Sequence, residues 1–170
     1  QEGWLRLESR FTSSLPKSLA TLAESDLQNS ERPSTQELTL ERQLTEEQEL
    51  AYREVLKALE EKTHRTMLLH GVTGSGKTEV YYRIIADVVS KGGSAILLVP
   101  EISLTSQLAQ VFQEKFGESL VVLHSGLQPR EKAEVWQKML TGQISLVIGA
   151  RSAVFAPLPN LRLIILDEEH

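Results

Sequence analysis

Gly71-Val72-Thr73-Gly74-Ser75-Gly76-Lys77-Thr78 fits the pattern G-x-x-x-x-G-K-[ST] at every position. An apolar run, Met67-Leu68-Leu69, precedes it, and an amphipathic helical stretch starts near Lys77. Strand, loop and helix in that order form the setting a phosphate-binding loop requires. The glycines let the backbone curl tightly and approach a polyphosphate with no Cβ in the way. Successive N–H groups then form an anion nest, and the helix start behind them adds partial positive charge. Lys77 can set an ammonium on the β- and γ-phosphates, and Thr78 offers a hydroxyl to Mg²⁺. A glycine-rich turn without a ligand has no need of this context, so the stretch reads as a nucleoside triphosphate site.

Outward from the loop the pattern is regular. On its N-terminal side, Thr45-Glu46-Glu47-Gln48 has the form of a capping box, with Tyr52, Val55, Leu56 and Leu59 on one helix face. A strand is expected at about 66–70. The helix after Lys77 shows Val80, Ile84, Ile85 and Val88 on one face and ends at Gly92-Gly93. Ala95 to Val99 is a continuous apolar run of the kind buried on both faces. A helix with Leu104, Leu108, Val111 and Phe112 follows and stops at Gly117. Leu120 to Leu123 is the next strand. Pro129 opens another helix, whose buried face is predicted to carry Ala133, Trp136 and Leu140 until Gly142. Phe112, Phe116 and Trp136 fall on helix faces and read as core. Ile144 to Ile148 and Leu163 to Leu166 are two further strands.

Strands alternating with helices predict an α/β fold with a parallel sheet and right-handed crossovers. The loops at 71–78, 100–107, 124–128, 149–159 and 167–170 each follow a strand, so they should line one edge of the sheet. No internal repeat is present.

The 170 residues make one domain, or one domain with a piece of another. No apolar run reaches the length that spans a bilayer, and no stretch has the form of a secretory signal, so no membrane role is expected. The absence of cysteine excludes disulfides and thiolate metal sites here, and it fits a cytoplasmic location. Formal net charge is −5, but it is uneven. Residues 1–62 hold thirteen acids and eight bases, and 63–170 hold ten of each. Residues 1–43 read as the tail of a preceding module and a linker. Trp4 to Glu8 alternates like a short strand, Leu15 to Ala23 suggests a short helix, and Ser30 to Gln36 reads as connector.

Leu163-Ile164-Ile165-Leu166-Asp167-Glu168-Glu169-His170 is an apolar strand ending in carboxylates. Asp167 at the strand tip suits a Mg²⁺ holder, and Glu168 can orient and deprotonate an attacking water. Downstream of a full phosphate loop, that pair argues for hydrolysis of the nucleotide. A kinase would need a second substrate pocket and a lid, and neither is legible.

Asp167-Glu168-Glu169-His170 resembles the DExH box of superfamily 2 helicases. The likeness extends through Gly71 to Tyr81, Val99-Pro100-Glu101-Ile102-Ser103-Leu104-Thr105-Ser106-Gln107, Leu123-His124-Ser125-Gly126-Leu127 and Gly149 to Pro159. Together these resemble the bacterial replication-restart DNA helicases of that superfamily, over roughly residues 44–170. The resemblance implies a RecA-like P-loop NTPase lobe, the first of two, that uses ATP and Mg²⁺ in a 3′→5′ DNA helicase of the primosome. It implies an adenine-reading role for Gln48, which is also the N3 residue of the capping box; both readings stand. Thr105 with Gln107, and Arg151 with Ser152, correspond to motifs that face single-stranded DNA, and His170 to the residue coupling nucleotide state to DNA. Loop geometry and the resemblance favour that DNA contact for Thr105 and Gln107 over a merely structural place in the first turn of their helix. The implied partners are single-stranded or forked DNA, primosome proteins and the single-stranded DNA-binding protein.

Such helicases also carry a second lobe with an arginine finger and a cysteine zinc module, neither of which is among these residues. The sequence is therefore expected to be a fragment, incomplete at the C-terminus. The strand expected between the phosphate-loop strand and the DEEH strand would fall outside it. Another P-loop NTPase, or a module that only binds nucleotide or DNA, are the competing readings.

Overall fold

The computed structural model describes residues 43–61, 64–72, 74–100 and 106–167. The elements expected within residues 1–42 lie outside that set.

Helix α1 (Glu46–Glu60) begins as its sequence dictates. Thr45 Oγ1 accepts from the Gln48 N–H at 3.3 Å, and Gln48 Oε1 accepts from the Thr45 N–H at 2.9 Å. This reciprocal pairing satisfies two amides that the helix start leaves without partners. Glu46, Glu47 and Glu49 add favourable charge in the first turn. Helix α2 (Lys77–Ser90) buries Val80, Ile84, Ile85 and Val88, the expected face, together with Tyr81 and Tyr82. It ends where Gly92, at φ +74°, reverses the chain, with the Gly93 N–H donating to Val88 O at 2.8 Å.

Strands β1 (Ser94–Leu98), β2 (Leu120–Leu123), β3 (Leu146–Gly149) and β4 (Leu161–Leu166) form one parallel sheet in the order β2-β3-β1-β4. The register pairs Leu98 with Gly149 on one side and with Leu166 on the other, so these strands end level. Helix α3 (Ser106–Phe116) and helix α4 (Pro129–Leu140) complete the alternation.

The inner strands β3 and β1, and the edge strand β2, are buried along their whole length. Successive side chains point to opposite faces, so each strand feeds two cores. Ala95, Leu97, Val99, Ile148, Leu163 and Ile165 join Val55 of α1, the buried face of α2 and Phe112 of α3. Ile96, Leu98, Val121, Leu123, Val147 and Ile164 join Val135 and Met139 of α4. Helices α1, α2 and α3 therefore cover one face and α4 the other.

Two expectations need correcting. The segment 66–70 is not a strand; Leu68 forms an isolated bridge and is 47% exposed. Met67 and Leu69 pack against the α2 side of the core. Their burial keeps the alternation a strand would show, but β4 ends the sheet among the described residues, so the segment has no ladder to join. On α4, Val135 and Met139 are the buried residues, whereas Trp136 is 36% and Leu140 60% exposed and Ala133 lies at the surface. The inward stripe is rotated by one residue, about 100°, from the one expected. Phe112 is fully buried and lies edge-on to Tyr82, with ring centres 5.5 Å apart, while Phe116 packs against the same cluster.

Candidate functional site

The loop between Met67 and α2 owes its shape to main-chain contacts. The Ser75 N–H donates to Val72 O at 3.1 Å, and Gly74 and Gly76 both take φ +78°. Gly76 is the residue immediately before α2, and no side chain caps this helix start. The first amides of α2 thus have no acceptor within the helix and point at the loop. Glycine suits the left-handed conformation at Gly76, and a Cβ there would displace Gln48 Nε2 from its present position.

Lys77 folds back over the loop. Its Nζ donates to Gly71 O at 2.8 Å and to Val72 O at 3.1 Å. Thr78, half-buried, follows in the first turn of α2. Gln48 reaches the loop from α1, its Nε2 donating to Ser75 O at 2.9 Å. Since Oε1 serves the capping box, this one side chain joins the start of α1 to the glycine-rich loop.

Helix α2 runs against the sheet direction. Its C-terminal end meets the start of β4, where Asn160 Nδ2 donates to Gly92 O at 2.7 Å and the Ser94 N–H to Asn160 O at 3.0 Å. Fourteen residues of helix span ~21 Å, so Lys77 and Thr78 fall at the opposite edge, beyond the strand carboxyl ends. Asp167 leaves β4 at that same edge, its N–H donating to Leu98 O at 2.8 Å. Its side chain is half-buried.

The loop after β3 also closes over this edge. Residues Arg151–Phe155 form a 3-10 turn, and buried Ala153 plugs it into the sheet end. A Cβ on Gly149 would lie 2.6 Å from Ala153 Cβ and 2.7 Å from Leu123 Cβ, so only glycine permits that seating. Arg151 and Ser152 are left exposed.

The expected loop residues Gly71, Val72, Gly74, Ser75, Gly76, Lys77 and Thr78 are therefore gathered with Gln48, and Asp167, Arg151 and Ser152 share their edge of the sheet. Gln107 lies in the first turn of α3. Thr73, Thr105, Glu168 and His170 lie outside the described residues. One pair was not anticipated. Tyr52 Oη donates to Asp87 Oδ2 at 2.8 Å, tying α1 to α2. Burial, with the Asp87 carboxylate adding to it, pushes the Tyr52 phenol up to about 12. The signal available in sequence was the spacing of Tyr52, four residues after Gln48.

A glycine-rich loop at the start of a helix and a strand-end acid at the same edge of a parallel sheet suit a class of protein to which this chain's sequence also belongs. The chain belongs to the DEAD/DEAH box helicase family, whose model matches residues 45–170. More narrowly, it is similar to the replication restart protein PriA of several bacteria. It is 51% identical to that of Bacillus subtilis (strain 168) over 127 residues, 75% of this chain and 16% of the relative. For Synechocystis sp. the identity is 57% over 107 residues, 63% of this chain and 13% of the relative. For Chlamydia pneumoniae it is 44% over 124 residues, 73% and 17%. The resemblance to replication-restart helicases is thus borne out, and the chain spans about a sixth of the length of these relatives.

Proposed function

We propose that residues 44–170 are the first RecA-like ATP-binding lobe of a 3′→5′ DNA helicase acting in replication restart, driven by hydrolysis of ATP to ADP and phosphate. The observation that carries this reading is that Lys77 and Thr78, at the uncapped start of α2, lie at the same sheet edge as Asp167. Family membership adds a general use of nucleotide and Mg²⁺.

The division of work follows from chemistry. Loop amides and the α2 start bind phosphate oxygens, and Lys77 exchanges its carbonyl partners for them. The residues fit Mg²⁺ bound mainly through phosphate and water: a hydroxyl from Thr78 and one carboxylate from Asp167. When bound, the ion would neutralise charge developing on the phosphates. Glu168 is the proposed base for the attacking water, and His170 the proposed link between nucleotide state and DNA. Gln48 would contribute to adenine recognition while shaping the loop. Arg151, Ser152, Thr105 and Gln107 are the proposed contacts to single-stranded DNA phosphates. Primosome proteins and the single-stranded DNA-binding protein are proposed partners of the longer protein, as is zinc in a separate module. Among the described residues no helix is long and apolar enough to cross a membrane, and a cytoplasmic location is proposed with the function.

The test is ATP binding and hydrolysis with and without single-stranded DNA, on this chain and on one extended through a second lobe. DNA-stimulated hydrolysis in the extended protein, abolished by Lys77→Ala, supports the reading. Hydrolysis that survives Lys77→Ala, or transfer to a second phosphoryl acceptor in preference to water, rejects it.

A further inference from the structure

The geometry points to Tyr52 as a positioning residue: its hydroxyl on Asp87 fixes α1 along α2, so that Gln48 meets the phosphate loop. This rests on the nucleotide-site reading and adds a residue remote from the loop itself.

Contacts run in the same order along both helices. Gln48 Nε2 meets Ser75 O at 2.9 Å, Tyr52 Oη meets Asp87 Oδ2 at 2.8 Å, and Glu60 faces Lys91 at 4.0 Å. Tyr52 follows Gln48 by one helical turn, so both project from one face of α1. The Glu60–Lys91 pair is exposed at both ends and holds little.

Apolar packing alone leaves slack in this register. Val55 and Ala58 are the buried residues of α1. Beyond them a solvent-open groove of about 300 Å³ runs between the C-terminal halves of the two helices, lined by Leu56, Leu59, Asp87, Val88, Lys91 and Arg162. A helix whose contact is interrupted by an open groove resists sliding or rolling less well unless directional contacts oppose the movement. The partly buried Tyr52–Asp87 hydrogen bond is the directional contact nearer Gln48, while Arg162 Nη2, donating to Leu59 O at 3.0 Å, holds the C-terminal end of α1.

At the other end the loop is sensitive to such movement. Gln48 Nε2 sits where a Cβ of Gly76 would stand, against the backbone that starts α2. A shift of α1 by ~1 Å would carry this amide out of hydrogen-bond range of Ser75 O. Tyr52 would therefore influence nucleotide affinity through Gln48.

A double-mutant cycle separates this from general stabilisation. Mg-ATP affinity is measured by calorimetric titration for wild type, Tyr52→Phe, Gln48→Ala and the double variant, with the melting temperature of each. Tyr52→Phe is expected to weaken ATP about fivefold, the scale of one net hydrogen bond. In the Gln48→Ala background that weakening should vanish while the loss in melting temperature remains. Asp87→Asn keeps an acceptor oxygen and should retain affinity. Asp87→Ala should repeat the loss, and it stands in for Tyr52→Phe if that variant fails to fold. Equal weakening in both backgrounds, or none beside an intact Gln48, overturns the proposal. Wild-type ATP binding by Lys77→Ala would instead overturn the nucleotide-site reading, whatever Tyr52 does.

Discussion

Lys77 donates to the carbonyl of Gly71 at 2.8 Å, and this short reach fixes the cation across the mouth of its own loop. A triphosphate entering the loop competes with main-chain carbonyls for the ammonium, so net affinity reflects an exchange of partners. Charge-assisted bonds to phosphate outweigh bonds to neutral carbonyls. Lys77→Ala should weaken ATP by ~2 kcal/mol, roughly thirtyfold, while stability changes by less than ~1 kcal/mol. Calorimetric titration and urea unfolding measure the two quantities on the same sample. A large stability loss with unchanged affinity would assign Lys77 a structural role.

Two glycines with nearly the same backbone angle should behave differently. Gly76 and Gly92 take φ +78° and +74°, yet a Cβ at Gly76 meets Gln48 and one at Gly92 meets nothing within 4 Å. Alanine at either position should cost ~1–2 kcal/mol of stability from the left-handed backbone. Only Gly76→Ala should also impair ATP binding, since it must displace Gln48 from the loop. Urea midpoints paired with ATP titrations check this; equal affinity in both variants would mean Gln48 is unimportant to the site.

Much of this molecule was legible in its sequence, and the failures have physical causes. The capping box at Thr45 and the face of α2 are local patterns, and both appear as expected. Strand β2 matches its expected limits, whereas β1 and β3 are displaced by one or two residues at their ends. The segment around Leu68 could not be judged locally, because a strand exists only where a neighbour offers a ladder. In α4 the bulk of Trp136 and Leu140 outweighed Val135 and Met139 in the apolar pattern. Two apolar stripes one residue apart were present, and periodicity does not say which one faces the sheet. The Tyr52–Asp87 bond joins residues 35 positions apart, so no window of sequence contains it.

Tyr52 makes a prediction about alkaline stability. Its folded pKa is raised from 10.0 to about 12, with burial first among the causes and Asp87 next; Glu49 adds to the rise and Arg83 opposes it. The folded state therefore favours the protonated phenol. Its contribution to stability is fully present below pH 10 and is lost as pH rises toward about 12. Urea unfolding of wild type and Tyr52→Phe from pH 8 to 12 isolates this from the titration of other groups. The wild-type advantage should be flat up to pH 10 and shrink above it. An advantage that grows with alkali would contradict the burial described for this hydroxyl.

Arg151 tests the other half of the proposed function. It is exposed on the 3-10 turn after β3, on the same sheet edge as the phosphate loop but on a different segment. A single phosphate contact releases about 0.7 counterion on single-stranded DNA, so its loss alters the salt dependence as well as the affinity. Arg151→Ala should weaken single-stranded DNA binding several-fold at low salt and reduce the slope of log affinity against log salt by ~0.7. The effect should be uniform across base sequences, because a phosphate contact carries no sequence information. ATP affinity without DNA should be unchanged, as the turn is anchored independently by Ala153. Fluorescence titrations of a labelled oligonucleotide over a range of salt concentrations measure all of these except the ATP term, which calorimetry supplies. An unchanged slope would remove Arg151 from the DNA path, even if affinity fell.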